Sequence, residues 1–151
     1  GESRKPVECT GGLTNVPDYS FDDAPKPQLI SVGAQKGNDA LTEWLKAASR
    51  EADVTMSVCT GAFKLAKAGL LDGRKATTHH DFFDAFADEF PEVELLRGPR
   101  FVEKGQFATA GGLTSGIDLA LRVVARYYGE DVAEQTARYM EYTSDGWRRQ
   151  A

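Results

Sequence analysis

Short apolar runs, several closed by glycine, alternate with amphipathic stretches along most of this chain, and that alternation constrains the fold more than any other feature. Leu29–Val32 (LISV) runs into Gly33, the pattern of a buried parallel strand. Asn38 or Asp39 then caps a helix whose apolar positions Leu41, Trp44, Leu45 and Ala48 recur at helical spacing. Val54–Val58 is a second buried-strand run. After Cys59-Thr60-Gly61 the period turns helical through Phe63, Leu65, Ala66 and Leu70, with Gly69 and Gly73 marking the exit. In the second half, Ala76–Thr78 predicts a short strand. Asp81–Phe90 predicts a helix with Phe82, Phe86 and Phe90 four apart, which Pro91 stops. Val93–Leu96 predicts another strand, and Phe101–Val102 with Phe107–Ala110 a hairpin around Lys104-Gly105. Leu113, Ile117, Leu121, Val124 and Tyr128 lie near one stripe of a long helix, in which Asp118 precedes Arg122 by four residues. A final helix runs from about Asp131 to Tyr142, and at the other end Val7–Thr10 predicts an edge strand before a Gly11-Gly12 turn. Strands alternating with helices imply right-handed βαβ crossovers, hence an α/β fold with a mostly parallel sheet covered on both faces.

At 151 residues the chain is sized for one domain with a core that needs no disulfide or metal staple. Its 41% hydrophobic and 27% charged content is that of a globular protein. A net charge of −5, from 23 acidic and 18 basic residues, argues against nucleic-acid binding, which needs a basic surface to release counterions. The basic pair Arg148–Arg149 beside Trp147 reads as a solvated tail. No stretch has the length of a membrane span, and GESRKPVECT has no signal-peptide pattern, so a soluble, cytoplasmic protein with no membrane partner is expected. In that compartment Cys9 and Cys59 stay reduced. The chain begins at Gly1 and its first methionine is Met56, so it reads as a processed or partial sequence.

Ligands of an open parallel sheet bind beyond the carboxyl ends of its strands, which singles out three places. Cys59 falls where the strand Val54–Val58 meets the helix opened by Thr60 and Gly61. A strand-to-helix elbow exposes its central side chain, and the helix N-terminus supplies unpaired N–H groups that favour a thiolate. Cys59 is therefore the candidate nucleophile; the alternative is a buried, inert cysteine. Cys9 lacks a helix behind it and reads as structural. Gly33 and Ala34, after the first strand, have amides that can join that of Thr60 as an oxyanion hole, or they form only a tight turn. GAQKGN matches no phosphate loop. Third is Thr77-Thr78-His79-His80-Asp81, where a histidine can exchange a proton with a thiol, or where the pair is only an exposed polar stretch or a helix start. Adjacent strand residues point to opposite sides, so at most one of His79 and His80 faces it. Cys59, His79, His80 and Asp81 lack metal-ligand spacing, and neither metal nor cofactor is expected. Gly111-Gly112, with Thr114 or Ser115 as cap, reads as a close-packed turn opening the long helix.

Four segments, GGLTNVPDYSFDDAP, LISVGAQKG, VCTGAFKLAKAGLLDGRKATTH and GGLTSGIDLALRVVARYYGEDVAEQTARYMEY, resemble the ThiJ/PfpI superfamily of class I glutamine-amidotransferase-like proteins and span nearly the whole chain. The resemblance implies a flavodoxin-like three-layer sandwich, a homodimer, a nucleophile at Cys59 and a histidine near it at His79. The C-T-G elbow and GRKATTH look most like the isonitrile hydratase branch and the related domain of AraC-type regulators. The protease branch carries a histidine where this chain has Thr60, which disfavours proteolysis.

Two departures stand out. The family's opening βαβ segment has no counterpart before Val7, and with it goes the Asp or Glu that touches the sulfur in relatives. Upstream residues, or another chain, are expected to supply them. Ala34 also stands where many members have a second glycine, which leaves its amide available. The activity implied is addition of water to an isocyanide, a small electrophilic substrate. Cys59 and Thr60 would act with His79, and Gly33, Ala34 and Gly61 would shape the binding site. The alternatives are a cysteine redox-sensor or ligand-binding domain and a glyoxalase or deglycase. Only nine residues, Thr143–Ala151, follow the last predicted helix, so a DNA-binding module is not expected here.

Overall fold

A computed structural model describes residues 1–148; Arg149 of the terminal basic pair lies outside them. Four strands make the main sheet: β3 (Leu29–Val32), β4 (Val54–Val58), β7 (Phe101–Lys104) and β8 (Phe107–Ala110), in the order β3-β4-β8-β7. The first three in space are parallel, with Ile30 opposite Thr55 and Ser57 opposite Thr109, and the β7–β8 hairpin adds an antiparallel edge. Two small ribbons stand apart. β1 (Val7–Glu8) pairs antiparallel with β2 (Thr14–Asn15), and β5 (Lys75–Ala76) pairs parallel with β6 (Glu94–Leu95). The predicted edge strand at Val7 therefore does not join the main sheet. The Gly11-Gly12 turn, both residues at positive φ, folds it back on itself.

Side-chain alternation on β4 sends Val54 and Met56 to one face and Thr55 and Ser57 to the other. Against the first face packs α4 (Thr114–Tyr128) through Leu119 and Val123. On the other face lie α1 (Asp39–Ala48), α2 (Gly61–Lys67) and α3 (Phe83–Glu89), whose Leu41, Leu45, Leu65 and Phe86 meet Ile30 and Val32 of β3. Asn38 caps α1, accepting the Leu41 amide at 3.0 Å. Phe63 of α2 receives the predicted phenylalanine ladder edge-on, at 6.4, 5.0 and 5.8 Å from Phe82, Phe86 and Phe90. Burial of a side chain like Phe86 contributes about 1.5–3 kcal/mol. The ladder is split by a 3-10 turn, His80–Phe82, ahead of α3. On the outer side of α4, α5 (Glu130–Tyr139) and the 3-10 turn Gly146–Arg148 close a third cluster of Leu121, Ala133, Ala137 and Trp147.

Three expectations need correction. LISV is not buried on both faces: Ile30 and Val32 are buried, but Leu29 and Ser31 are exposed, because β3 is the sheet edge and α4 packs chiefly over β4, β7 and β8. Asp118 does not serve Arg122. It is fully buried and pairs with Arg100, while Arg122 pairs with Glu103 at 3.0 Å. Arg148 is not merely solvated; its guanidinium lies 4.1 Å from the Trp147 ring and 3.0 Å from Glu134. No helix among the described residues is long and apolar enough to cross a membrane.

Candidate functional site

Cys59 follows the last residue of β4 with φ of +59°, in the left-handed region that an L-residue enters at a cost of about 1–2 kcal/mol. Such strain persists only where surrounding contacts over-determine it. Here they come from three directions. The Cys59 amide donates to the carbonyls of Ala110 and Gly111, at 3.1 and 2.9 Å, at the end of β8. The Cys59 carbonyl accepts the Thr78 hydroxyl at 2.9 Å, from the segment after β5. On the third side, α2 begins against the end of β3. A Cβ added to Gly61 would stand 2.0 Å from the Val32 carbonyl oxygen and 3.0 Å from that of Gly33, so only glycine permits this approach. The elbow read from the sequence is present, with its thiol free and partly exposed.

Thr60 is the residue that opens α2. Its hydroxyl makes no cap bond to the helix. Because Gly61 docks on Val32 and Gly33, the turn of Gly33 and Ala34 lies beside this helix start, as the oxyanion reading requires. Gly33 is partly buried and Ala34 exposed, and a Cβ at Gly33 would meet nothing. Glycine is thus dispensable at position 33 on steric grounds, whereas Gly61 is not.

His79 sits where β5 has ended. Its ring fills the space over Gly112, where a Cβ would come within 2.4 Å of Cδ2. Nδ1 accepts the Asp81 amide at 3.2 Å, capping the 3-10 turn. The His80 ring stacks on it at 4.4 Å. The expectation of opposite sides fails because the strand stops at Ala76 and the chain is already turning. Among the described residues no hydrogen bond joins His79 to Cys59; its neighbour Thr78 makes that link instead. Cys9 is exposed and unpaired to any disulfide.

A polar cluster missed in the sequence braces the elbow from behind. The Arg100 carbonyl accepts the Gly111 amide at 2.9 Å, and Gly111 in turn receives the Cys59 amide. The Arg100 side chain binds the buried Asp118 carboxylate, which also accepts from the Ser144 hydroxyl at 3.4 Å. The bond to Asp118 holds the guanidinium above its ordinary pKa. Arg100 also reaches Thr114 at 3.2 Å, so the expected helix cap is spent on it. Leu113, with φ of +40°, stands at the cap position of α4 without a side-chain bond. The signals for this cluster were a mid-helix aspartate on an otherwise apolar face and an arginine between Pro99 and a strand; neither names its partner.

Strand order, layers and a strained cysteine at a strand-to-helix junction define a flavodoxin-like α/β domain with a cysteine elbow. The chain belongs to the DJ-1/PfpI family, which matches residues 1–126. It is 34% identical over 144 residues to isonitrile hydratase of Pseudomonas putida, covering 91% of this chain and 61% of that protein. To the HTH-type transcriptional regulator CdhR of Pseudomonas aeruginosa it is 31% identical over 137 residues, covering 87% of this chain and 40% of the regulator. Among solved structures, a ThiJ/PfpI family protein from Pseudomonas syringae superimposes with a TM-score of 0.79 at 30% identity, over 96% of this chain and 62% of that one. The chain thus spans about three fifths, or less, of the length of these relatives.

Proposed function

We propose that the chain carries the thiol centre of an isonitrile-hydratase-like hydro-lyase. The observation that carries this reading is Cys59 held at positive φ by Ala110, Gly111 and Thr78 at the start of α2. The 34% identity to isonitrile hydratase supports an isocyanide as the substrate class. In this reading the Cys59 thiolate attacks the terminal carbon of an isocyanide, R–NC, and that carbon takes a proton, giving a thioimidate, R–N=CH–S. Water adds to the same carbon, the C–S bond breaks, and the sulfur leaves as thiolate with R–NH–CHO as product. Amides of Thr60 and of Gly33 or Ala34 stabilise the charge that develops on the addition intermediate. His79 assists proton movement at the rim. The carboxylic acid that the family resemblance places beside the sulfur is not assigned to any residue here. Assembly as a homodimer goes with this reading.

Incubation with an alkyl isocyanide, followed by intact mass and NMR, tests it. A Cys59 adduct or N-alkylformamide formation, lost in Cys59→Ser, is expected. A folded protein that gives neither, with Cys59 still open to alkylation, refutes the reading. The similarity to CdhR favours a second one, a cysteine sensor domain in which peroxide converts the Cys59 thiolate to the sulfenic acid. Addition of one oxygen at Cys59 in a protein inert toward isocyanide and methylglyoxal alike would select it; methylglyoxal turnover would instead indicate the glyoxalase alternative.

A further inference from the structure

Sequence spacing argued against a metal site at His79, His80 and Asp81, but the turn that ends β5 changes the geometry. One ligand atom from each of the three side chains lies within 4.8 Å of the other two. The Asp81 carboxylate lies near a nitrogen of each ring, Oδ1 3.1 Å from Nε2 of His80 and Oδ2 3.6 Å from Nδ1 of His79. His79 is the fixed member: its side chain is 19% exposed and its ring is confined over Gly112. Nδ1 now accepts the Asp81 amide at 3.2 Å, so an ion bound there takes the place of that hydrogen bond on the same lone pair. His80 and Asp81 are exposed at the mouth of the turn, free to close the remaining distance onto an ion at about 2.0–2.2 Å.

We propose that His79, His80 and Asp81 bind a divalent late first-row metal ion of the Zn2+ class. Two neutral imidazoles and one carboxylate form a borderline nitrogen–oxygen donor set with one negative charge. That set suits Zn2+ and its neighbours in the transition series, whereas Ca2+ and Mg2+ need more oxygen ligands than the turn offers. Three protein ligands leave a coordination position open to water or a small ligand. The site occupies the residues immediately after Thr78, whose hydroxyl holds the Cys59 carbonyl, so a bound ion acts on the segment that braces the elbow. The site shares His79 with the isocyanide reading, but its test, made on protein without Cys59, stands or falls apart from that reading.

The competing source of metal affinity is the thiols, so the test removes both. Cys9→Ser/Cys59→Ser protein is titrated with Zn2+ alone at neutral pH by calorimetry, with and without His80→Ala or Asp81→Asn. Both of those positions are exposed, and thermal melting without metal checks that each variant folds. Expected is saturable binding of one ion per chain, weakened about tenfold or more by either substitution, as loss of a ligand requires. Mg2+ in excess should not compete. NMR of the histidine side chains should show both imidazoles shifting together. Absence of saturable binding in the cysteine-free protein overturns the proposal, as does binding that His80→Ala and Asp81→Asn leave unchanged.

Discussion

If Cys59 is held in the left-handed region by its neighbours, glycine there should be more stabilising than alanine, the reverse of the usual order. Both substitutions remove the thiol, so most of the lost packing is common to them. Alanine keeps the Cβ and with it a strain of about 1–2 kcal/mol. Glycine relieves that strain but costs about 0.5–1 kcal/mol of additional chain entropy. The net advantage of Cys59→Gly over Cys59→Ala thus spans about 0–1.5 kcal/mol and centres on about 0.7 kcal/mol, which is roughly 1–3 °C in melting midpoint for a domain of this size. Urea unfolding of both variants, compared where their m-values agree, reads the difference directly. Ala120, exposed within α4, serves as the control: Ala120→Gly should lose about 1 kcal/mol, in the ordinary direction. A Cys59→Ala protein as stable as Cys59→Gly, with the control behaving normally, would falsify the claim that the elbow stores strain.

Two further outcomes follow from contacts around the elbow. Gly61→Ala forces its new methyl against the Val32 carbonyl, a backbone group that cannot swing away. It should lower stability by about 1–3 kcal/mol, and alkylation of Cys59 should change with it; an unaltered melt would mean that α2 is not seated on β3 as described. Arg100→Met leaves the buried Asp118 carboxylate with Ser144 alone. The expected loss is about 3 kcal/mol, near the lower end for a broken buried pair because the guanidinium is partly exposed, and larger than for Asp118→Asn. The reverse ranking, read by thermal melting, would contradict the pairing.

What could be read from the residues was what local patterning determines. LISV, VTMSV and FATA became strands because apolar, β-branched runs bounded by glycine or turn residues have few other solutions. The elbow was legible because a strand period meets a helix period at Cys59 with no residues between for a loop. What could not be read depends on neighbours distant along the chain. Nothing in Thr78 says that its hydroxyl serves Cys59, and nothing in Asp118 names Arg100, since i to i+4 proximity to Arg122 was the stronger local cue. The half-exposed state of LISV is a property of the sheet's strand order, not of those four residues. His79 and His80 were assigned opposite sides on a strand that in fact ends at Ala76, and this same error concealed their approach to Asp81.

The contacts that hold Cys59 also determine when its conformation can form. Ala110 ends β8 and Gly111 follows it, Thr78 lies beyond β5, and Val32 on β3, so none belongs to the local turn. A chain that has formed its helices but not closed these loops has nothing to oppose the left-handed penalty, and the cysteine relaxes to an ordinary backbone conformation. The strained geometry of the elbow is therefore acquired late in folding, with the completed sheet.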